Sequence, residues 1–585
     1  MLRGRIDAYA AGMHDLVIVN GTVVDGTGAP AASADLAVTN GTIAAVGPAG
    51  SLGAARRTLD AAGQLVLPGW VDIHTHYDGQ ATWDPFLTPS SWHGVTTTVF
   101  GNCGVGFAPV RRGTEAFLIN LMEGVEDIPG TVLAEGIDFC WESFPAYLDA
   151  LASAPKVMDI ATQIPHGALR FFVMGERGGD HGEVPTTAEI AEMGRLVVEA
   201  LEAGALGFST SRTTKHRAKD GRPTPSLSAG DPELDGIAEA MAVAGTGVLQ
   251  ANSDFGPGEF EVLTRMARIS GRPLSVLLLQ VDSAPDLWRR TLGQIHQSRA
   301  EGLVVRGQVG VRPIGVMMGL DATVHFFVTH PAYRSVAELP LTERVARLRF
   351  DPELRRRLIQ ERPEDPFSTW MARAIHRTFE LGNPPDYEPA PHQAITARAE
   401  RSGQSPWELA LDLLLADDGR ALLLHPFENY CDGDLEVVRT MLADPYTVCG
   451  LADGGAHVAT ICDASAPTFL LMHWARDRTR GERLPLELLV HKQTGATAAA
   501  YGLLDRGVLA PGYRADVNVV DLAGLGLTPP QIRRDLPAGG RRLVQHSVGY
   551  RHTFVAGVEV ACDGEATGAL PGTLVRGAKS VPISV

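Results

Sequence analysis

The sequence predicts an α/β protein: a parallel (β/α)8 barrel, a small β-sandwich domain built from both termini, and a helical insertion. Three observations carry this. Apolar runs of five to eight residues alternate with helical stretches through the middle of the chain. Short β-branched runs punctuated by Asn-Gly and Gly-Pro fill both ends. A charged helical stretch over about 313–400 interrupts the alternation.

Taken in order, "DLVIVNGTVVDGTG", "ADLAVTNGTIAAVGP" and "RTLDAAGQLVLPGW" read as hairpin-linked strands, and "GYRADVNVVDL" and "GYRHTFVAGVEVACDG" repeat the texture at the far end. They place the small domain at 14–68 plus 505–570 and the barrel at 69–504. Eight barrel strands fall in "GWVDIHTH", "VTTTVFGNCG", "VMDIATQIPHG", "GALGFSTS", "GVLQANSDF", "LSVLLLQV", "LVVRGQVGVRP" and "YTVCGLADGGAH". "TAEIAEMGRLVVEALEA" and "ELDGIAEAMAVAG" are two of the intervening helices. The insertion follows the seventh strand, where it serves either as a lid over the site or as a surface elaboration.

Composition narrows the class. The 585 residues are 45% apolar and 20% charged, with net charge −17 and no Lys/Arg-rich run. Nucleic-acid phosphates require a basic face, so that partner is excluded. No apolar run reaches the ~18–20 residues of a membrane helix. "MLRGRIDAYAAG" has no apolar core of signal-peptide length, and Met13 is an alternative start to Met1. A cytoplasmic location is expected. Six scattered cysteines (103, 140, 431, 449, 462 and 562) without a CxxC pair make neither a disulfide framework nor a zinc ribbon.

The chemistry concentrates at strand ends. His74 and His76 close the first strand; residues two apart share a strand face, so both imidazoles point the same way, as half of a metal site. Asp453, in the Gly-rich turn "GLADGGAH", is a metal ligand and base or an Asx-turn residue. Cys103, in Gly-Asn-Cys-Gly, is a soft zinc ligand or a small turn residue.

"LVLPGWVDIHTHYDG" resembles the first-strand signature of the amidohydrolase superfamily. "GNCGVGFAP" (101–109), "MEGVEDIPG" (122–130), "WESFPAYLDAL" (141–151) and "GALGFSTS" (204–211) narrow the resemblance to its N-acyl-D-amino-acid deacylase branch, and "TGATAAAYGLLDRGVLAPGYRADVNVVDL" (494–522) resembles the return to the small domain. The resemblance implies one divalent metal, zinc foremost with manganese or iron(II) compatible, held by His74, His76, Cys103 and Asp453, with Asp453 shuttling the proton. It also implies a small-molecule amide substrate, and a homodimer is compatible with such barrels. Where the branch carries histidines on the fifth and sixth strands, this chain has Asn252 and Gln280, whose amide oxygens are poorer zinc ligands.

His166, His216 and His457 are the remaining histidines near strand ends. His166 and His457 are expected to assist catalysis or touch substrate, and His216, Asn252 and Gln280 to shape the pocket. Arg212 or Lys215, in the basic loop 212–222, and Arg312 are candidates for a substrate carboxylate. The reaction expected is hydrolysis of an amide C–N bond; ring opening of a cyclic amide or ureide, and a non-catalytic scaffold, are the alternatives.

Overall fold

The computed structural model describes residues 13–583; the N-terminal segment 1–12, read above for targeting, lies outside the described residues. Eight parallel strands occupy the middle of the chain: β1 (Trp70–Asp72), β2 (Val95–Phe100), β3 (Asp159–Thr162), β4 (Gly207–Arg212), β5 (Val248–Ser253), β6 (Leu274–Leu277), β7 (Val305–Val309) and β8 (Thr447–Cys449). Each falls inside a run read from the sequence. β2, β3 and β6 are buried throughout, the pattern of a parallel sheet covered on both faces.

The strands pair as two arcs. One is β1-β2-β3; the other runs from Ile164–Pro165 through β4, β5, β6 and β7 to β8. The arcs meet where Gln163 N–H donates to Phe100 (3.0 Å) and Leu206 N–H to Thr162 (2.9 Å). Among the described residues no ladder joins β1 to β8, so strand pairing alone does not complete the expected barrel. Both strands are only three residues long. Their contact is made just beyond the strand ends, by Asp453 N–H to His74 O (3.1 Å) and His76 N–H to Gly454 O (2.8 Å).

The helices follow local rules. α1 (Glu115–Glu126) turns its apolar stripe Leu118, Leu121, Met122 and Val125 inward. It approaches the loop at 217–219 so closely that a Cβ on Gly124 would stand 2.2 Å from the Ala218 carbonyl carbon. α2 (His166–Met174) begins directly after Pro165. α3 (Thr187–Ala203) is capped reciprocally, Thr186 accepting from Glu189 N–H and the Glu189 carboxylate from Thr186 N–H, and Gly204 closes it at φ 114°.

Both ends of the chain enter one nine-stranded sheet rather than two separately paired layers. Its seam is Leu65–Pro68, antiparallel to Val517–Val520 on one side and parallel to His14–Val23 on the other. A buried ion network ties this end sheet to the barrel strands. Asp159 on β3 accepts from Arg506 (2.7 Å), Arg514 (2.9 Å) and the Thr573 amide (2.7 Å). The insertion extends beyond the expected 400, because Leu423–Glu428 pairs antiparallel with Ile314–Met318. It has its own core around Met318, Phe327, Leu348, Leu358 and Leu411. Among the described residues no helix is long and apolar enough to cross a membrane.

Candidate metal centre

β1 stops at Asp72, so His74 and His76 lie on the extended segment that follows rather than within the strand. The alternation persists because that segment is pinned on both sides. Thr75 N–H donates to Val99 O of β2 (3.1 Å), and the 453–454 turn bonds His74 and His76. Thr75 turns away to the Thr98 hydroxyl (2.8 Å), leaving the two imidazoles together, ring centroids 5.5 Å apart.

His74 is fixed from behind. Gln308 on β7 gives its amide N–H groups to Ser275 (2.8 Å) and Tyr501 (3.2 Å), so its oxygen accepts from His74 Nδ1–H at 2.7 Å. His74 Nε2 is left as a lone pair facing Cys103 Sγ (3.4 Å) and Asp453 Oδ1 (3.6 Å). Cys103 reaches that place by a left-handed turn, φ 55°, with its N–H on Gln250 (2.9 Å). Asp453 also has positive φ, 47°, and its Oδ1 lies 3.9 Å from His76 Nε2.

The ligand atoms of His74, His76 and Cys103 all lie within 4.8 Å of one another, and all three residues are buried. Asp453 completes a mixed N, S and O donor set. Its Oδ1, His76 Nδ1 and Glu126 Oε1 are buried atoms without a hydrogen-bond partner. Burial drives the charges in opposing directions. It holds His74 down to about 4 and His76 well below the usual imidazole range, so both stay neutral and ligating. It pushes Asp453, Glu126 and the Cys103 thiol well up. Neutral imidazoles beside anions that burial disfavours form a cradle whose missing element is positive charge. The residues fit a divalent metal.

Other expected residues sort cleanly. Asn252 faces the centre, its Nδ2 3.9 Å from Cys103 Sγ and 3.3 Å from His216 Nε2, and His216 Nδ1 meets Ser211 Oγ at 3.0 Å. Burial lowers His216 to about 3. His457, a quarter exposed, puts Nε2 3.5 Å from Glu126 Oε2. His166 is not brought to the centre: Nδ1 meets Thr210 (2.9 Å) and Nε2 meets Glu233 (2.9 Å), leaving no free ring nitrogen. Gln280 instead ties the loop after β6 to Asp432 (2.8 Å) and the Cys431 amide (3.1 Å). Arg212 pairs with Glu259 (2.7 and 3.0 Å), and Arg312 pairs with Asp463 (2.9 Å) beside the Tyr387 ring with its Nη1 left without a hydrogen-bond partner, so both are ion-paired inside the protein.

Sequence reasoning missed Glu126, Gln308 and Gln250. For Glu126 a signal existed: an acid on the apolar stripe of α1, inside "MEGVEDIPG". For the two glutamines there was none, because an amide inside a strand looks the same whether it orients a ligand or bonds its own sheet.

A parallel α/β scaffold with two imidazoles, a thiol and a carboxylate converging at its strand ends has the geometry of a candidate metal centre. The chain belongs to the amidohydrolase family, whose model matches residues 57–561, and is an enzyme acting on non-peptide C–N bonds. It is 29% identical over 584 residues to an N-acyl-D-aspartate deacylase of Alcaligenes xylosoxydans xylosoxydans (98% of this chain, 97% of that one). It is 29% identical over 516 residues to a D-aminoacylase of the same organism (87% and 88%). A solved D-aminoacylase structure, described as having a binuclear metal centre activated by one metal and attenuated by a second, superposes with TM-score 0.63 at 26% identity, covering 96% of this chain and 100% of that one.

Proposed function

We propose that this enzyme deacylates N-acyl-D-amino acids, releasing a carboxylic acid and a D-amino acid, within a closed (β/α)8 barrel flanked by the end-sheet domain at 14–68 and 505–570. The convergence of His74, His76 and Cys103 within 4.8 Å, beside Asp453, is the observation that carries the reading. These four residues would hold one divalent ion; the thiol favours zinc, while two imidazoles and a carboxylate also accept manganese or iron(II). Such an ion supplies Lewis-acid polarisation of the amide carbonyl and acidifies water.

The chain's own groups do the rest. Asp453 accepts the proton of the attacking water and returns it to the leaving nitrogen, which departs as the amine. Gln308 holds His74 in the tautomer that presents Nε2. His457, at the exposed rim, touches the substrate. Arg212, Arg312 and Lys215 each pair with a protein carboxylate, and Lys215 is the half-exposed one, so it is the cation that can exchange its partner for the α-carboxylate. It pairs with Glu428 and lines a cavity of about 230 Å³ with Asn252, Thr213 and Phe255.

The test is metal content by elemental mass spectrometry, followed by hydrolysis of a panel of N-acetyl-D- and L-amino acids and hydantoins. About one ion per chain and turnover confined to the D-amides are expected. Turnover of hydantoins alone would establish ring opening instead. No ion after reconstitution and no turnover would leave a scaffold.

A further inference from the structure

Glu126 has no role in the reading above, yet its position is hard to account for otherwise. It ends α1, and the C-terminus of a helix disfavours a carboxylate. Its side chain is 2% exposed, and among the described residues no lysine or arginine pairs with it. Burying an unpaired carboxylate at a helix C-terminus is costly twice over. What surrounds it is imidazole: Oε1 lies 3.3 Å from His76 Nδ1, Oε2 lies 3.5 Å from His457 Nε2, and its own backbone carbonyl accepts the His457 N–H.

The contact is made on the far side of His76. Nε2 of that ring faces Asp453 and Nδ1 faces Glu126. The companion ligand is backed at the same ring atom, there with the hydrogen bond made: Gln308 sits behind His74 Nδ1 at 2.7 Å, whereas the 3.3 Å approach of Glu126 to His76 Nδ1 falls short of one. One ligand is therefore backed by a neutral amide and the other by a carboxylate. A carboxylate behind a ligating imidazole fixes its tautomer, holds the ring and makes the nitrogen facing the metal a stronger donor.

Resting on the metal-centre reading above, we infer that Glu126 is a positioning residue: it orients His76 toward the metal through Nδ1 and couples that ligand to His457 at the rim. It stays outside the ligand set itself.

The experiment measures zinc affinity by competition with a chromophoric chelator, together with the visible spectrum of the cobalt(II)-loaded protein, for wild type, E126Q and E126D. Wild type that binds neither ion refutes the metal-centre reading itself and the inference with it. Given a wild type that binds, E126Q is expected to lose about 10–100-fold in affinity with its cobalt band positions unchanged. E126D should recover part of the loss. Affinity within threefold of wild type in E126Q overturns the inference, as does a shifted cobalt spectrum, which would make Glu126 a ligand. Should E126Q not fold, a crystal structure of zinc-loaded wild type decides: Glu126 accepting from His76 Nδ1 supports the inference, and a Glu126–zinc bond ends it.

Discussion

Asp453→Asn separates chemistry from folding most cleanly. Asp453 sits at φ 47°, a left-handed conformation that asparagine tolerates better than nearly any other residue with a side chain. Its N–H to His74 O is a backbone bond that the substitution leaves intact. What goes is the carboxylate: a proton acceptor and an oxygen donor, 3.6 Å from His74 Nε2 and 3.9 Å from His76 Nε2. Loss of general-base transfer alone removes about 10²–10⁴ in rate, and the weaker donor adds to that under limiting metal. Stability should move the other way. Oδ1 is buried without a hydrogen-bond partner, so the neutral amide relieves the metal-free protein of a desolvated carboxylate, worth about 1–3 kcal/mol. The assays are release of D-amino acid under saturating metal and urea unfolding of the metal-free protein. A kcat/KM within tenfold of wild type would refute the proton-transfer role, and a variant less stable than wild type would refute the electrostatic account.

Four further outcomes are expected. Asp159→Asn strips the charge from a network that includes the nearly buried Arg506, and should cost about 3–5 kcal/mol in urea unfolding; a loss below about 1 kcal/mol would show that the network contributes little. Arg312→Met should lower stability by a similar amount and leave KM unchanged in the folded fraction, whereas a raised KM would restore the carboxylate-binding role. Gly124→Ala should cost about 1–3 kcal/mol through the clash with the 217–219 backbone and reduce zinc affinity by displacing the end of α1; unchanged unfolding and affinity would mean that the loop yields freely. Finally, burial holds His93 and His325 down to about 3. Both stay neutral in the fold while the unfolded chain takes up protons below about 6.5, so stability is fully present above that pH and is lost as pH falls toward 3. At pH 5 the loss is about 2 kcal/mol for each histidine, read from urea midpoints at pH 8 and pH 5; equal midpoints would refute it.

The eight strands were legible because a parallel strand covered on both faces is written as a short apolar run between turns. The pairing between the chain ends was legible as repeated hairpin texture. The barrel expected from eight β-then-α units is not completed by strand pairing, because its first and last strands are only three residues long and meet through the turn at 453–454. Within the centre, residues announced by rare chemistry at a strand end were readable: His74, His76, Cys103 and Asp453. His166 misled because position near a strand end says nothing about where ring nitrogens go; Thr210 and Glu233 claim both. Arg212 and Arg312 misled for the same reason, since a buried arginine must find an anion and both found one inside the protein. Glu126 was passed over because helical periodicity marks its face as core, although an acid on that apolar stripe is itself the signal.

The left-handed turns at Cys103, Asp453 and, with φ 50°, His457 limit how this centre can be rebuilt. A side chain in that conformation costs about 1–2 kcal/mol, least for Asn and Asp and most for β-branched residues. A mutational library at these three positions is thus filtered by the backbone before any metal is offered. Aspartate and asparagine pass, and valine, isoleucine and threonine are removed. Directed evolution toward a harder ion by Cys103→Asp keeps the loop in place, whereas a search through hydroxyl donors would fail at Thr for reasons unrelated to coordination.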